Sequence, residues 1–333
     1  MLPWGFWERW YYSLRSVDPN HEAFNAQQWG RIFNPTGSGH ERRDAARFVF
    51  QEIMKIETPE AAEFGPYAGL VQLGVTEKTQ QAWTKSMRNM LAILEAHFDA
   101  HDYILGGAPT LADFALVGPL YPHLYKDPVP GFLMRTEYPL VSEWIERTNG
   151  STEAGYKSYL EPQYRLVDGK LVLQPTGEIF PNDEVPESLL PLLQVFFDEM
   201  WPMLKKNIEA VTAYIQSDAC GEGSTLPGKS FYSPAEFNAL QNGEGALTLE
   251  FEIGGVKERR MASPYQIWML HRMEKAVMPE DAPAETKIIL KDFLESFSCG
   301  SELLSLKERL SKCPIQKKFE QLFYVMPQTG DQV

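Results

Sequence analysis

His97 and His101 stand four residues apart in His97-Phe-Asp-Ala-His101, a spacing that lays both imidazoles on one helical face. A zinc-protease helix with this spacing carries glutamate directly after its first histidine and takes a third ligand nearby. Phe98 holds that glutamate position here, so the pair fits two cations near a helix C-terminus better than a metal site, and no metal is expected. Thr110 and Asp113 set a hydroxyl near a carboxylate, which could serve as a catalytic pair. The same three-residue spacing makes a capping box, with Pro109 able to staple against Phe114, and that structural role needs no further residue. Cys299 closes a helical pattern, whereas a reactive thiolate prefers a helix start or a cationic neighbour, so it is expected to be structural. Arg259 and Arg260 form a short basic pair on a strand-like run and suggest a solvated edge. No residue is assigned a catalytic role.

The densest aromatic cluster is Trp4, Trp7, Trp10, Tyr11 and Tyr12. Trp4, Trp7, Tyr11 and Leu14 recur at three- and four-residue steps, which predicts a short first helix with one aromatic stripe. Such a stripe can face a hydrophobic ligand or a partner protein; the alternative is that the rings pack in the core.

The elements that would position these residues are mainly helical. Helices are expected over 41–56, from Thr76 to about His101 with Trp83, Met87, Met90, Leu91, Leu94 and Phe98 on one face, and over 139–147. The texture changes near 150–159, giving a domain over 1–150 and a second over 160–333. In the second, 164–174 forms two short apolar runs around Asp168-Gly169, a type I′ hairpin signal. A helix is expected over 186–215, then a Gly- and Ser-rich mobile stretch over 217–230. Strict alternation of Leu247, Leu249, Phe251 and Ile253 before Gly254-Gly255 predicts a second hairpin. Ser263-Pro264 opens another helix, and two helical segments near 284–297 and 301–310 finish the chain. The architecture expected is a helical bundle followed by a helical region with two small β-hairpins.

The charge balance excludes several functions. Thirty-one basic against 45 acidic residues leaves −14, which disfavours nucleic acid and anionic membrane surfaces, since both need counterions released by Lys and Arg. The longest stretch nearly free of charge, 103–125, holds Asp113, Gly106, Gly107, Pro109, Pro119 and Pro122, so no membrane span is expected. The aromatic start lacks the basic region and aliphatic core of a secretory signal. Three scattered cysteines make no disulfide framework, which places the chain in a reducing compartment, the cytoplasm, with an organelle interior as the alternative.

Residues 103–120, containing Thr110, Ala112 and Asp113 in matching positions, resemble the signature of the all-helical C-terminal domain of glutathione S-transferases. Tyr138-Pro139 before a Trp-containing helix is similar to a second element of that domain. The resemblance covers roughly 1–150; a weaker one, through 183–187 and 264–270, likens the rest to the C-terminal extension of a long bacterial-type branch. It implies a hydrophobic substrate site lined by the first helix of the helical domain. A complete member also carries a thioredoxin-like domain of about 80 residues, a usual size for a small domain, holding the glutathione site and the catalytic Tyr, Ser or Cys. Here the helical pattern begins almost at Met1, so that domain is expected to be absent, and Tyr11, Tyr12 and Ser13 do not inherit the catalytic role. No cofactor is expected, glutathione entering only if a thioredoxin-like domain is supplied elsewhere. Two functions compete: a glutathione S-transferase-like protein that binds a hydrophobic small molecule or partner through its first helix, or a non-catalytic scaffold or accessory subunit of a larger assembly. Another protein chain or a homo-oligomer is the expected partner under either.

Overall fold

A computed structural model describes residues 27–28, 30–48, 74, 76, 78–150, 163–174, 178–181, 184–218, 220–226, 247–277, 279, 281–318 and 321–325. The chain divides into two compact units, one from 1–70 with 75–193, the other from 71–74 with 194–333. The sequence boundary near 150–159 falls almost wholly outside the described residues, as does the first helix with Trp4, Trp7, Trp10, Tyr11 and Tyr12.

In the first unit, α1 (Gly39–Phe48) starts on a capping box that the sequence reading did not single out. The Ser38 N–H donates to the Glu41 carboxylate at 2.7 Å while the Glu41 N–H donates to the Ser38 hydroxyl at 3.3 Å. The central scaffold is α2 (Gln80–Phe98), which buries Trp83, Met87, Met90, Leu91, Leu94 and Phe98 along the stripe that the sequence periodicity predicts. Its N-cap position is Thr79, three residues beyond the expected Thr76. The Thr79 hydroxyl accepts the Thr76 N–H at 2.9 Å, so the two threonines close one turn before the helix begins.

Three further helices follow among the described residues: α3 (Leu111–Leu120), α4 (Pro128–Glu137) and α5 (Pro139–Asn149). Between α3 and α4 the backbone widens into a π turn over Tyr121–Tyr125. Pro119 and Pro122 each remove a backbone donor here, so the regular ladder of helical bonds cannot continue. Pro139 starts α5 at a position where its missing N–H does no harm. The next two N–H groups, of Leu140 and Val141, donate to the two carboxylate oxygens of Glu95 on α2 at 3.0 and 2.9 Å. A side chain on one helix thus caps the start of another and places its charge at the favoured dipole end. Gly150, at φ 64°, closes α5 in the left-handed conformation. In the core of the unit the Phe98 ring stacks on Trp144 at 4.7 Å, and Leu94, Met134 and Val141 are fully buried.

The predicted hairpin follows as β1 (Gln163–Val167) and β2 (Lys170–Gln174), antiparallel, with Asp168 at φ 49° and Gly169 at φ 75° making the turn.

The second unit is built on one long interrupted helix. After α6 (Leu190–Val195), which begins in the first unit, the backbone widens into a π turn (Phe196–Met200) and resumes as α7 (Trp201–Ile215). Pro202 lacks the N–H that would bond back to 198, which accounts for the bulge just before it. The second predicted hairpin is β4 (Thr248–Ile253) with β5 (Val256–Met261), turning at Gly254 (φ 56°) and Gly255 (φ 80°). Leu249, Phe251 and Ile253 are buried while Glu250 and Glu252 face outward, and α7 packs on β4. Then come α8 (Pro264–Val277), α9 (Ala284–Glu295), a 3₁₀ segment (Gly300–Ser305) and α10 (Leu306–Ser311).

Two expectations are corrected here. The last described residues are not helical: β6 (Ile315–Lys318) and β7 (Gln321–Tyr324) form a third hairpin among the described residues, and β3 (Thr225–Leu226) pairs with β7 inside the stretch expected to be mobile. These strands are two to four residues long, too short for alternation to show, and Leu226 is held by burial rather than by any local signal. Arg260 does not sit on a solvated edge. It is buried, its guanidinium lies over the Phe251 ring at 5.7 Å, and it donates to the Met203 sulfur at 3.1 Å. The architecture is mostly helical with small antiparallel sheets.

Gly131, inside α4, lies against the Tyr125 carbonyl. A Cβ there would sit 2.2 Å from that oxygen, and a backbone group cannot swing aside. Gly131→Ala is expected to lose about 1–3 kcal/mol, the usual penalty for overpacking, even though alanine favours helices. Urea unfolding measures it, and a gain in stability would show that the π turn can shift.

Candidate functional site

Buried polarity in the first unit concentrates where α2, the loop after it and α3 meet. Asp113, the third residue of α3, has no exposed surface. A carboxylate taken out of water must recover in hydrogen bonds what it loses in hydration, and this one accepts four. One oxygen takes the Ile104 N–H and the indole N–H of Trp144, both at 2.9 Å. The other takes the N–H and the hydroxyl of Thr110, both at 2.8 Å. Thr110 is the N-cap of α3 with extended backbone, and the two residues form a capping box. Both oxygens of this carboxylate are taken up by protein donors, and its hydroxyl neighbour is already engaged. Phe114, offered by the sequence as the staple's second half, stays 53% exposed, so the staple is not what secures this turn.

His97 lies close by and is fully buried. Its Nε2 faces the Tyr103 carbonyl at 3.1 Å and must therefore carry the proton; Nδ1, 2.8 Å from the Ser188 hydroxyl, accepts from it. Burial drives the His97 pKa below its ordinary value, and His101, its ring 4.9 Å away, pushes the same way. The expected pair of helix-end cations is thus corrected: His97 is a neutral tie between α2, the following loop and the 3₁₀ turn at Glu187–Leu189. Among the described residues no group of histidine, cysteine and carboxylate side chains is arranged to hold a metal ion.

The cysteines are free. Burial raises the Cys220 thiol and pushes Cys313 up to about 12, so both stay protonated and weakly nucleophilic. Cys299 is exposed at φ 60°, at the head of the 3₁₀ segment rather than of an α-helix.

The second unit contains a groove of about 620 Å³ between the start of α7 and the β4–β5 hairpin, lined among others by Asp198, Met203, Lys206, Phe251 and Lys257. Several of its charges are already engaged. Lys205 bonds to Glu302 at 2.7 Å, Lys206 to Glu209 at 3.0 Å, and Asp198 accepts from Gln194 and Ser298, each at 2.7 Å. Lys205 holds the Glu302 carboxyl below its usual range.

Of the residues singled out from the sequence, the structure brings Thr110 and Asp113 together; Trp4, Trp7, Trp10, Tyr11 and Tyr12 lie outside the described residues. Sequence reasoning missed the Trp144 indole bond, the Glu95 cap and the His97–Ser188 contact. Each joins residues 31 to 91 positions apart, for which a single sequence carries no signal.

Residues 77–147 match the family model described as "Glutathione S-transferase, C-terminal domain", and this part of the chain is such a domain. No curated protein and no solved structure matches the chain. No helix among the described residues is long and apolar enough to cross a membrane.

Thr110→Ala is expected to lose about 1 kcal/mol, the ordinary loss for an N-cap. Asp113→Asn keeps the shape but aims an amide N–H₂ at groups that are themselves donors, and should lose about 3 kcal/mol or more. Urea midpoints of the two variants decide it; a smaller loss for Asp113→Asn would remove the carboxylate from the centre of this network.

The depressed His97 pKa also sets a sign. Above the unfolded value near 6.5 neither state binds the proton, and the contribution is fully present. As pH falls from there toward the lower folded value, the unfolded chain takes up a proton that the folded chain refuses, so stability declines. His97→Asn should flatten that segment of the melting-temperature profile, and an unchanged slope would assign it to other groups.

Proposed function

We propose that the chain is a glutathione S-transferase-like protein that binds a hydrophobic ligand or partner through its first helix, at Trp4, Trp7, Trp10, Tyr11 and Tyr12. The observation that carries the reading is the Asp113-centred domain matched over 77–147. In the superfamily it resembles, the helical domain lines the hydrophobic site and a thioredoxin-like domain binds glutathione. An apolar site of this kind needs shape and area rather than an activated nucleophile. Glutathione would enter only with a thioredoxin-like domain supplied by another chain or segment.

A second reading makes the chain a non-catalytic scaffold or accessory subunit of a larger assembly. It is favoured by the state of the described side chains: Cys220 and Cys313 are held as thiols, His97 is bonded on both ring nitrogens, and the Asp113 carboxylate is saturated. Three free cysteines suit the reducing cytoplasm, with an organelle interior as the alternative.

Titration calorimetry with glutathione and Trp fluorescence with a hydrophobic probe test the first reading. The chain alone should show no binding at millimolar glutathione, a threshold of about 4 kcal/mol. The probe should perturb Trp emission, and replacing Trp4, Trp7 and Trp10 by Phe should remove most of that response. Tight glutathione binding would mean that the chain holds its own thiol site, and an unaltered response in the triple variant would move the ligand elsewhere.

A further inference from the structure

Among the described residues the β4–β5 hairpin is a sheet of two strands, so β4 has one edge bonded to β5 and one edge without a partner strand. The two-residue turn at Gly254-Gly255 makes Ile253 and Val256 a hydrogen-bonded pair, and such pairs recur at every second position. The Ala262 N–H, which donates to the Leu247 carbonyl at 2.8 Å, keeps that phase to the far end. Leu249, Phe251 and Ile253 therefore direct their backbone groups to β5, while Glu250 and Glu252 aim theirs at the other edge. That edge borders the groove of about 620 Å³ at the start of α7, because Glu250, Phe251 and Glu252 all line it. Consecutive side chains alternate between the two faces of a strand, so three in a row share one cavity only along its edge.

We propose that this groove takes an extended, basic segment of a partner protein, which adds to β4 as an antiparallel third strand. The N–H groups and carbonyls of Glu250 and Glu252 supply the main-chain bonds, and the antiparallel direction is the more stable per residue. Charge selects the occupant. The register sets Arg259 and Lys257 of β5 opposite Glu250 and Glu252, so this acidic row has cations on one side and the open edge on the other. Neither carboxylate is engaged by another side chain among the described residues. Asp198 and Glu199 add negative charge to the groove, while its Lys205 and Lys206 are paired with Glu302 and Glu209. A strand with Lys or Arg opposite Glu250 and Glu252 completes the alternation of sign, since opposite charges directly across a pair are favourable. Its intervening residues then turn to the inner face, on the side of Phe251 and Met203, and are apolar. A second copy of β4 is the wrong occupant, because antiparallel self-pairing would set glutamate against glutamate.

The test is fluorescence anisotropy of a labelled peptide of alternating lysine and valine, titrated with the full chain. It should bind with a Kd of about 10 to about 100 μM, more weakly in high salt, and the valine–glutamate counterpart should not bind. Two further peptides separate strand addition from charge attraction. Methylating the backbone nitrogens of the lysines, which face β4, should abolish binding, whereas methylating those of the valines, which face away, should leave it intact. Glu250→Gln with Glu252→Gln should weaken binding roughly tenfold and reduce its salt dependence. Both side chains are exposed, so the far-UV spectrum and melting temperature should not change. Amide exchange read residue by residue should slow at Glu252 and Glu250 when the peptide binds, and stay as it was at Phe251, whose N–H already faces β5. The proposal is overturned if no saturable binding occurs up to about 1 mM, or if the two methylated peptides bind alike. It is equally overturned if the double variant binds as the wild type does, or if exchange at Glu250 and Glu252 ignores the peptide.

Discussion

The first unit depends on the buried carboxylate of Asp113 and the four donors that make its burial tolerable. Asp113 draws Ile104 from the loop after α2, Thr110 from the cap of its own helix and Trp144 from α5, so three separate segments meet at two oxygen atoms. Stranding the charge by withdrawing any one of them would be more destabilising than the loss of an ordinary hydrogen bond, because desolvation of the carboxylate would no longer be offset. The geometry then propagates. With its N–H pinned, the Trp144 indole lies flat on Phe98, and that stack joins α5 to α2 at the core. Glu95, one turn earlier on α2, caps the start of the same α5. The helix pair is therefore fixed at two levels by polar groups and between them by aromatic contact.

The second unit solves the same problem with softer ties. Asn207 on α7 is fully buried, accepts the Ser263 N–H at 2.7 Å and donates to the Ser263 carbonyl at 3.0 Å, which fixes the entry to α8. Arg260 is accommodated by sulfur and an aromatic face, polarizable partners that suit a delocalised guanidinium better than they would an ammonium. Each unit thus orients its helices with a few buried polar contacts and leaves bulk stability to apolar packing.

What the sequence made legible follows from the range of the interactions concerned. The α2 stripe, the Thr110–Asp113 spacing, both glycine-containing turns and the helix starts at Pro139 and Pro264 are local features, carried by periodicity or by residues within four positions of one another. Arg260 went the other way because alternation along β5 distinguishes two faces without saying which is covered; α7, more than forty residues earlier, supplies Met203 and settles it. His97 departs from the sequence expectation for the same reason. A histidine at a helix end suggests a cation facing the dipole, until Ser188 and the Tyr103 carbonyl arrive from elsewhere and burial suppresses its charge.

Two buried groups, His97 and Cys313, are pushed toward their neutral forms, and Asp113 is fully hydrogen-bonded. Poised acids, bases and nucleophiles need the opposite, a pKa near the working pH and a free lone pair or proton aimed at a cavity. These residues are therefore structural by the same physics that would have made them reactive in a polar cleft. The apolar groups left in water tell a complementary story. Leu111 is 84% exposed, and Leu166 and Leu171 of the β1–β2 hairpin are 70% and 72% exposed. Apolar area left in water is where contact with another molecule would still gain free energy by burial.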